Sequence, residues 1–119
     1  MVSFFEALES NSVNEVAKVP KSDVHNHAGR GGSRKVLSDF LGVRIYPRET
    51  SFVNISEMED WFSENIKVFT PGVDGLINRF RAAFIQARLD QILVLSMSFS
   101  LRDIDTLGGV DNFISVIDG

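Results

Sequence analysis

The two histidines of this 119-residue chain are the side chains best suited to chemistry, and they lie two positions apart. His25 and His27 belong to residues 20–28, whose sequence PKSDVHNHA has the pattern of a short β-strand leading into a glycine-rich turn. Side chains at positions i and i+2 of a strand point to the same side, so both imidazoles are expected to face one way. Two convergent imidazoles form half of a metal site, and the sequence contains no cysteine or further histidine to complete it.

The elements that position this pair can be predicted from caps and periodicity. Capping-box patterns at Ser3 and Ser12 predict two short helices, near residues 3–9 and 12–18, before a strand at 22–27. Apolar spacing and turn residues predict the remaining elements in chain order: a helix at 36–41, a loop at 42–54, helices at 56–66 and 71–89, a strand at 92–100 and a helix from 110 onward.

The order of these elements predicts an α/β fold. Two strands separated by long helical stretches are typical of parallel pairing, in a layered or barrel architecture. A parallel sheet of only two strands leaves both of its edges open. We therefore expect the chain to be the opening part of a larger domain.

Composition narrows the class of protein. The net charge of −4 argues against a general nucleic-acid-binding protein. Zero cysteines fit a cytoplasmic location, and neither a signal peptide nor an apolar run of about 18 residues is present in the sequence. We expect a soluble, cytoplasmic protein that binds neither nucleic acid nor membrane.

Residues 19–33 resemble the first strand of the adenosine deaminase-like branch of the metal-dependent amidohydrolases. That family's pattern here is Pro-Lys-x-acidic-aliphatic-His-x-His before a glycine-containing turn, and Pro20-Lys21, Asp23 and the two histidines match it. The order of elements is similar over essentially the whole chain. The resemblance implies a TIM (β/α)8 barrel, with His25 and His27 as metal ligands at the carboxyl end of its first strand.

The resemblance also implies a reaction and a division of the chain. The metal would be zinc, with iron or cobalt as alternatives, and metal-bound hydroxide would deaminate a purine nucleoside or a related amine. The family's third histidine, its acid–base residues and its metal-binding aspartate come from later strands, so we expect this chain alone to be inactive, and it need not retain the metal. The implied parts are leading helices at 1–19, the first strand and its turn at 20–33, a helical insertion and crossover helix at 34–91, and a second strand with the next helix at 92–119.

The turn after the histidines departs from the family's pattern. The family has an aspartate there, implied to bind the ribose, whereas this chain has a longer turn that contains Arg30, Gly31, Gly32 and Arg34. Glycine-rich backbone beside arginines can cradle a phosphate or another anion. The alternative is a solvated loop without a ligand.

Asp23 has the same strand parity as the two histidines. It is therefore a candidate to hydrogen-bond a metal-bound imidazole and so orient the ring. The alternative is a carboxylate that faces solvent. Asn26 has the opposite parity, and we expect it to face away from the pair.

Two other functions remain open from the sequence. One is a different barrel hydrolase with a His-x-His motif, such as a phosphoesterase. The other is a non-catalytic α/β domain that self-associates through its exposed strand edges, as a homo-oligomer.

Overall fold

Two short capped helices lead into the first strand, as predicted. The computed structural model describes residues 2–30, 33–45 and 51–119. Helix α1 (Phe4–Glu9) has a complete capping box, in which the Ser3 hydroxyl accepts from the N–H of Glu6 and the Glu6 carboxylate accepts from the N–H of Ser3. In helix α2 (Val13–Lys18) the Ser12 side chain caps in the same way. Both predicted helices are confirmed.

The two predicted strands pair in parallel. Strand β1 (Lys21–His27) and strand β2 (Ile92–Ser98) form a two-stranded sheet in which Asp23 lies opposite Leu95 and Asn26 lies opposite Met97. Over this stretch β1 therefore has one residue more than β2. Such a bulge interrupts the regular alternation of side chains, and it includes His25.

Helix α5 (Gly72–Leu89) separates two small apolar cores. One core lies between α5 and helix α3 (Arg34–Leu41), and the other lies between α5 and the sheet. The buried residues of the first are Val36, Leu37, Ile45, Ile66 and Ala82. Those of the second are Ala28, Leu76, Phe80 and Leu107, with Met97, Phe99 and Phe113 packed against them.

The fourth predicted helix begins earlier than expected. Helix α4 (Ile55–Asn65) is capped by Asn54, whose side chain accepts from the N–H of Glu57, while the Glu57 carboxylate accepts from the N–H of Val53. Ser56 was expected to be the N-cap of this helix. The cap is Asn54, two residues earlier, because asparagine is at least as good a cap residue as serine. A single 3₁₀ turn (Lys67–Phe69) follows.

Further differences concern the start of α5 and the end of β2, which lies at Ser98 and not at the predicted Ser100. Pro71 caps α5 rather than occupying its first turn, and the Thr70 hydroxyl donates to the carbonyl of Ile66. Beyond β2 the structure adds helix α6 (Leu101–Thr106), which the sequence analysis did not predict, before the expected helix α7 (Val110–Asp118).

The predicted loop at 42–54 is only partly described. Residues 43–45 and 51–54 contain neither helix nor strand, and residues 46–50, with Pro47, lie outside the described ranges.

The predicted mixed α/β class is confirmed by two parallel strands with helices between and around them. Among the described helices, none combines the length and the apolar character needed to cross a bilayer.

Gly42 ends α3 in the left-handed conformation, with a φ of 67°. A Cβ atom there would meet nothing within 4 Å, so only the backbone conformation opposes a side chain. We expect Gly42→Ala to lower the free energy of unfolding by about 1 kcal/mol, and Gly42→Asn to lower it less, because asparagine tolerates this conformation. Urea unfolding followed by circular dichroism measures both; equal losses would contradict the explanation.

Candidate metal centre and basic cavity

The two histidine rings converge at the carboxyl end of β1. Their Nε2 atoms are 3.2 Å apart, and the ring centroids are 4.9 Å apart with the planes at 65°. Both side chains are exposed. The prediction that the two imidazoles face one side is confirmed.

The spacing of the two Nε2 atoms fits a shared metal ion. Two imidazole nitrogens on a tetrahedral zinc, each at about 2.0–2.1 Å, lie about 3.3 Å from one another. The observed 3.2 Å also suits an N–H···N hydrogen bond, in which one ring donates and the other accepts. In that case the proton lies on the line between the two nitrogens, whereas a shared metal would lie off that line, where the two lone pairs meet.

Asp23 holds the main chain beneath this pair. Its Oδ1 atom accepts from the main-chain N–H of His25 at 3.1 Å, and its Oδ2 atom accepts from the side-chain amide of Asn26 at 2.8 Å. Asp23 therefore orients His25 through the backbone and not through its ring. The expectation that Asn26 faces away from the histidine pair stays a prediction; its contact with Asp23 occurs where the bulge in β1 shifts the alternation between these two residues.

Hydrogen bonding lowers the pKa of Asp23 below its ordinary value of 3.8. The amide of Asn26 contributes most, and the N–H of His25 contributes next. Because the pKa is lower in the folded chain, the carboxylate favours folding above pH 3.8, and this contribution is lost as the pH falls through the lower folded value.

The same contacts predict how substitutions move this titration. We expect Asn26→Ala to raise the pKa of Asp23 toward 3.8, because it removes the main donor to the carboxylate. Asp23→Asn should abolish the titration and loosen the turn that carries His25. Carbon-detected NMR of the side-chain carboxyl during acid titration measures both effects. An unchanged pKa in Asn26→Ala would contradict the assignment.

A cavity of about 660 Å³ lies at the carboxyl ends of the two strands. His27 lines it from the end of β1, and Ser98 and Ser100 line it from the end of β2. Residues at this end of parallel strands form the ligand sites of α/β folds, because the loops that follow the strands meet there. One of the two histidines and the two serines at the end of β2 therefore line the same cavity.

Cationic side chains dominate the rest of that lining. Arg30, Lys67, Arg79 and Arg102 contribute to the wall, whereas Asp103 is the one carboxylate among the lining residues the structure describes. The result is a basic cavity in a chain whose net charge is −4.

The residues predicted to bind substrate are only partly described. Gly31 and Gly32 lie outside the described ranges. Arg30 lines the basic cavity, and its Nη2 atom lies 2.8 Å from both carboxylate oxygens of Glu59. Arg34 lies over the ring of Trp61 at 5.4 Å and lines a neighbouring, more apolar cavity of about 400 Å³.

No third protein donor joins the histidines within residues 2–30, 33–45 and 51–119. Over these ranges, the structure brings together no group of three or more side chains from histidine, aspartate and glutamate that could hold a metal ion. Zinc at a catalytic site takes three or more protein ligands, so the pair supplies part of a donor set.

Three of the cavity's cations, Lys67, Arg79 and Arg102, were not predicted from the sequence. One signal was present, since Arg102 lies in a Ser100-x-x-Asp103 pattern that caps a helix directly after the strand. Arg79 lies away from the apolar stripe of α5, as a solvent-facing arginine would. The position of Lys67 depends on the 3₁₀ turn, which had no clear sequence signal.

Comparison with known proteins identifies no relative of this chain. No family model matches the chain, and comparison with curated proteins and with solved structures finds no match.

Proposed function

We propose that this chain is the amino-terminal part of an adenosine deaminase-like metal-dependent hydrolase built on a TIM barrel. The observation that carries the proposal is the 3.2 Å separation of the His25 and His27 Nε2 atoms at the carboxyl end of a parallel strand. The Pro20-Lys21 lead-in and Asp23 support the same family. We further propose that the protein works in the cytoplasm.

The proposed roles of the residues follow from their positions. His25 and His27 would hold a zinc ion through Nε2, and Asp23 would fix the first of them through its main-chain N–H. When bound, the ion supplies a Lewis acid that activates water for attack on the ring carbon bearing the amino group. The basic cavity beside His27 would receive the substrate, and the remaining ligands and acid–base groups would come from residues outside these 119.

The test is release of ammonia from adenosine and related aminopurine nucleosides, with and without added zinc. We expect the 119-residue chain alone to release none. The product of the whole reading frame should release ammonia, and His27→Gln should abolish it. A reading frame that ends at Gly119, or a longer product whose activity survives His27→Gln, would overturn the proposal.

A phosphoesterase with the same histidine motif is the nearest alternative. The four cations that line the cavity favour it, because a phosphate ester would be attracted there. Release of inorganic phosphate from a model ester, without release of ammonia from any aminopurine, would select this alternative.

Self-association is a second candidate function, favoured by the apolar surface of the sheet. Val24, Leu93 and Val94 are 77%, 72% and 61% exposed, although strands of a parallel sheet are normally covered on both faces. A second copy that pairs with an open edge of the sheet would cover such side chains and make a dimer. Sedimentation at several concentrations tests it, and a monomer at all of them would exclude self-association through the sheet.

A further inference from the structure

Three cations converge on a single phenyl ring at the wall of the basic cavity. The Cζ atoms of Arg30 and Arg79 lie 4.5 and 5.7 Å from the centre of the Phe62 ring, and the Nζ atom of Lys67 lies 5.8 Å from it. Each contact is a cation–π interaction of modest strength. Gathering three positive charges around one ring also costs repulsion, which these contacts offset only in part.

The carboxylates nearby do not neutralise this group. Glu59 pairs with Arg30, and Asp103 acts on Arg79 from beyond ion-pair distance. Among the described residues, no carboxylate lies within ion-pair distance of Lys67, Arg79 or Arg102. The lining carries four cations and one carboxylate, a net charge of three positive, or two positive once Glu59 is counted.

Arg79 is the most constrained of these cations. Its Nη1 atom donates to the hydroxyl of Thr70 at 2.9 Å and to the carbonyl of Thr70 at 3.3 Å, and these contacts fix the side chain. Its Nε atom is buried and has no hydrogen-bond partner in the described part of the chain. Burial lowers the pKa of Arg79, the charge of Asp103 raises it, and the charge of Arg30 lowers it. An arginine held in this way is a preformed donor for an anion.

We propose that this cavity binds a phosphate monoester, with Arg79, Lys67 and Arg102 as the groups that recognise the phosphate. This inference rests on the proposed function in one respect, since it names the class of substrate for that site. Phosphate binding itself requires no metal. The hydroxyl of Ser100 accepts from the N–H of Asp103, so its own proton is free to donate to a phosphate oxygen.

The size of the cavity agrees with an ester better than with free phosphate alone. A volume of about 660 Å³ lies within the range of pockets that enclose a small organic ligand. A phosphate at the cations would leave space toward His27 for the rest of the molecule. The substrate would then be anchored at one end and presented to the histidine pair at the other.

The test is calorimetric titration of the metal-free 119-residue chain in EDTA with inorganic phosphate, ribose 5-phosphate, AMP and adenosine. We expect the three phosphate-bearing probes to bind, more weakly at high salt, and AMP to bind at least about tenfold more tightly than adenosine. Tighter binding of AMP than of ribose 5-phosphate would identify a nucleotide as the source of the phosphate. Absence of binding by all three, or adenosine binding as tightly as AMP, would overturn the proposal.

Variants assign the binding to these side chains. Arg79→Gln and Arg102→Gln should each weaken phosphate binding by at least about tenfold, because each removes charged hydrogen-bond donors. Arg81→Gln removes the same charge from an exposed position on the same helix and should change it less than about twofold. Since Arg79 also holds Thr70, the exposed Arg102 keeps the test valid if Arg79→Gln does not fold. Equal losses in Arg102→Gln and Arg81→Gln would overturn the proposal.

A histidine variant separates this inference from the proposed function. His25 is not among the residues that line the cavity. His25→Gln should therefore keep phosphate affinity within about twofold while it loses metal binding. Loss of phosphate binding in this variant would contradict the cavity assignment, whereas a metal affinity that this variant leaves unchanged would contradict the metal proposal alone.

Discussion

Replacing Gly75 with alanine is expected to destabilise the chain more than any other single change discussed above. A Cβ atom at Gly75 would lie 2.0 Å from both the carbonyl carbon and the carbonyl oxygen of Thr70, which is far inside van der Waals contact. Both groups belong to the backbone, so no side chain can move aside to relieve the clash. We expect a loss of at least about 3 kcal/mol in the free energy of unfolding.

The loss should spread beyond the first turn of α5. That helix lies against both apolar cores, and the Arg79 side chain on its next turn holds Thr70. Moving the helix away from Thr70 would therefore disturb the cores and the basic cavity together. We expect Gly75→Ala to lower the cooperativity of unfolding as well as its midpoint.

Gly72 provides a matched control on the same helix. It has a φ of 65°, but a Cβ atom there would meet nothing within 4 Å, so Gly72→Ala carries only the cost of the backbone conformation, about 1 kcal/mol. Urea unfolding, followed by circular dichroism and by the fluorescence of the single tryptophan, compares the two variants. Equal losses would show that the contact with Thr70 does not govern the packing of α5.

Replacing either histidine is expected to have the largest effect on metal binding. His25→Gln or His27→Gln leaves one imidazole, and chelation by two Nε2 atoms 3.2 Å apart is lost. We expect the affinity for Zn²⁺ or Co²⁺ to fall by at least about tenfold, which is 1.4 kcal/mol. The absorption spectrum of bound Co²⁺ follows the change directly.

The control and the pH dependence distinguish this site from surface binding. Glu64→Gln removes an exposed carboxylate from α4 and should leave the affinity unchanged. Metal and protons compete for the same ring nitrogens, so affinity should decrease as the pH is lowered in the unaltered chain. If His25→Gln, His27→Gln and Glu64→Gln all lower the metal affinity by a similar factor, or if none of them changes it, the histidines do not bind the metal as a pair.

Much of the backbone was predictable because its signals are local. Ser3 and Ser12 cap the first two helices as expected, and the alternation of Leu95 and Met97 with serines marks β2, which ends two residues before the predicted Ser100. The convergence of the two imidazoles also follows from strand parity, since they are two residues apart.

The parts that were not predicted depend on competition or on distant contacts. Asn54 and Ser56 both suit a cap, and local preference does not choose between them; Asn54 caps α4 in the structure. The bulge that turns Asn26 toward Asp23 arises from the register between the strands, which β1 alone does not encode. The cluster of Arg30, Lys67 and Arg79 around one ring comes from three separate segments of the chain, so no local pattern could reveal it.

The most direct measurement of the metal centre is X-ray absorption at the zinc edge of the Zn²⁺-loaded chain. If His25 and His27 bind one ion, the spectrum should show two imidazole nitrogens at about 2.0–2.1 Å, together with the more distant scattering of their ring carbons. The double variant His25→Gln, His27→Gln should lose both signals. A shell of oxygen atoms without imidazole scattering, or the same spectrum from the double variant, would contradict the assignment of this pair as metal ligands.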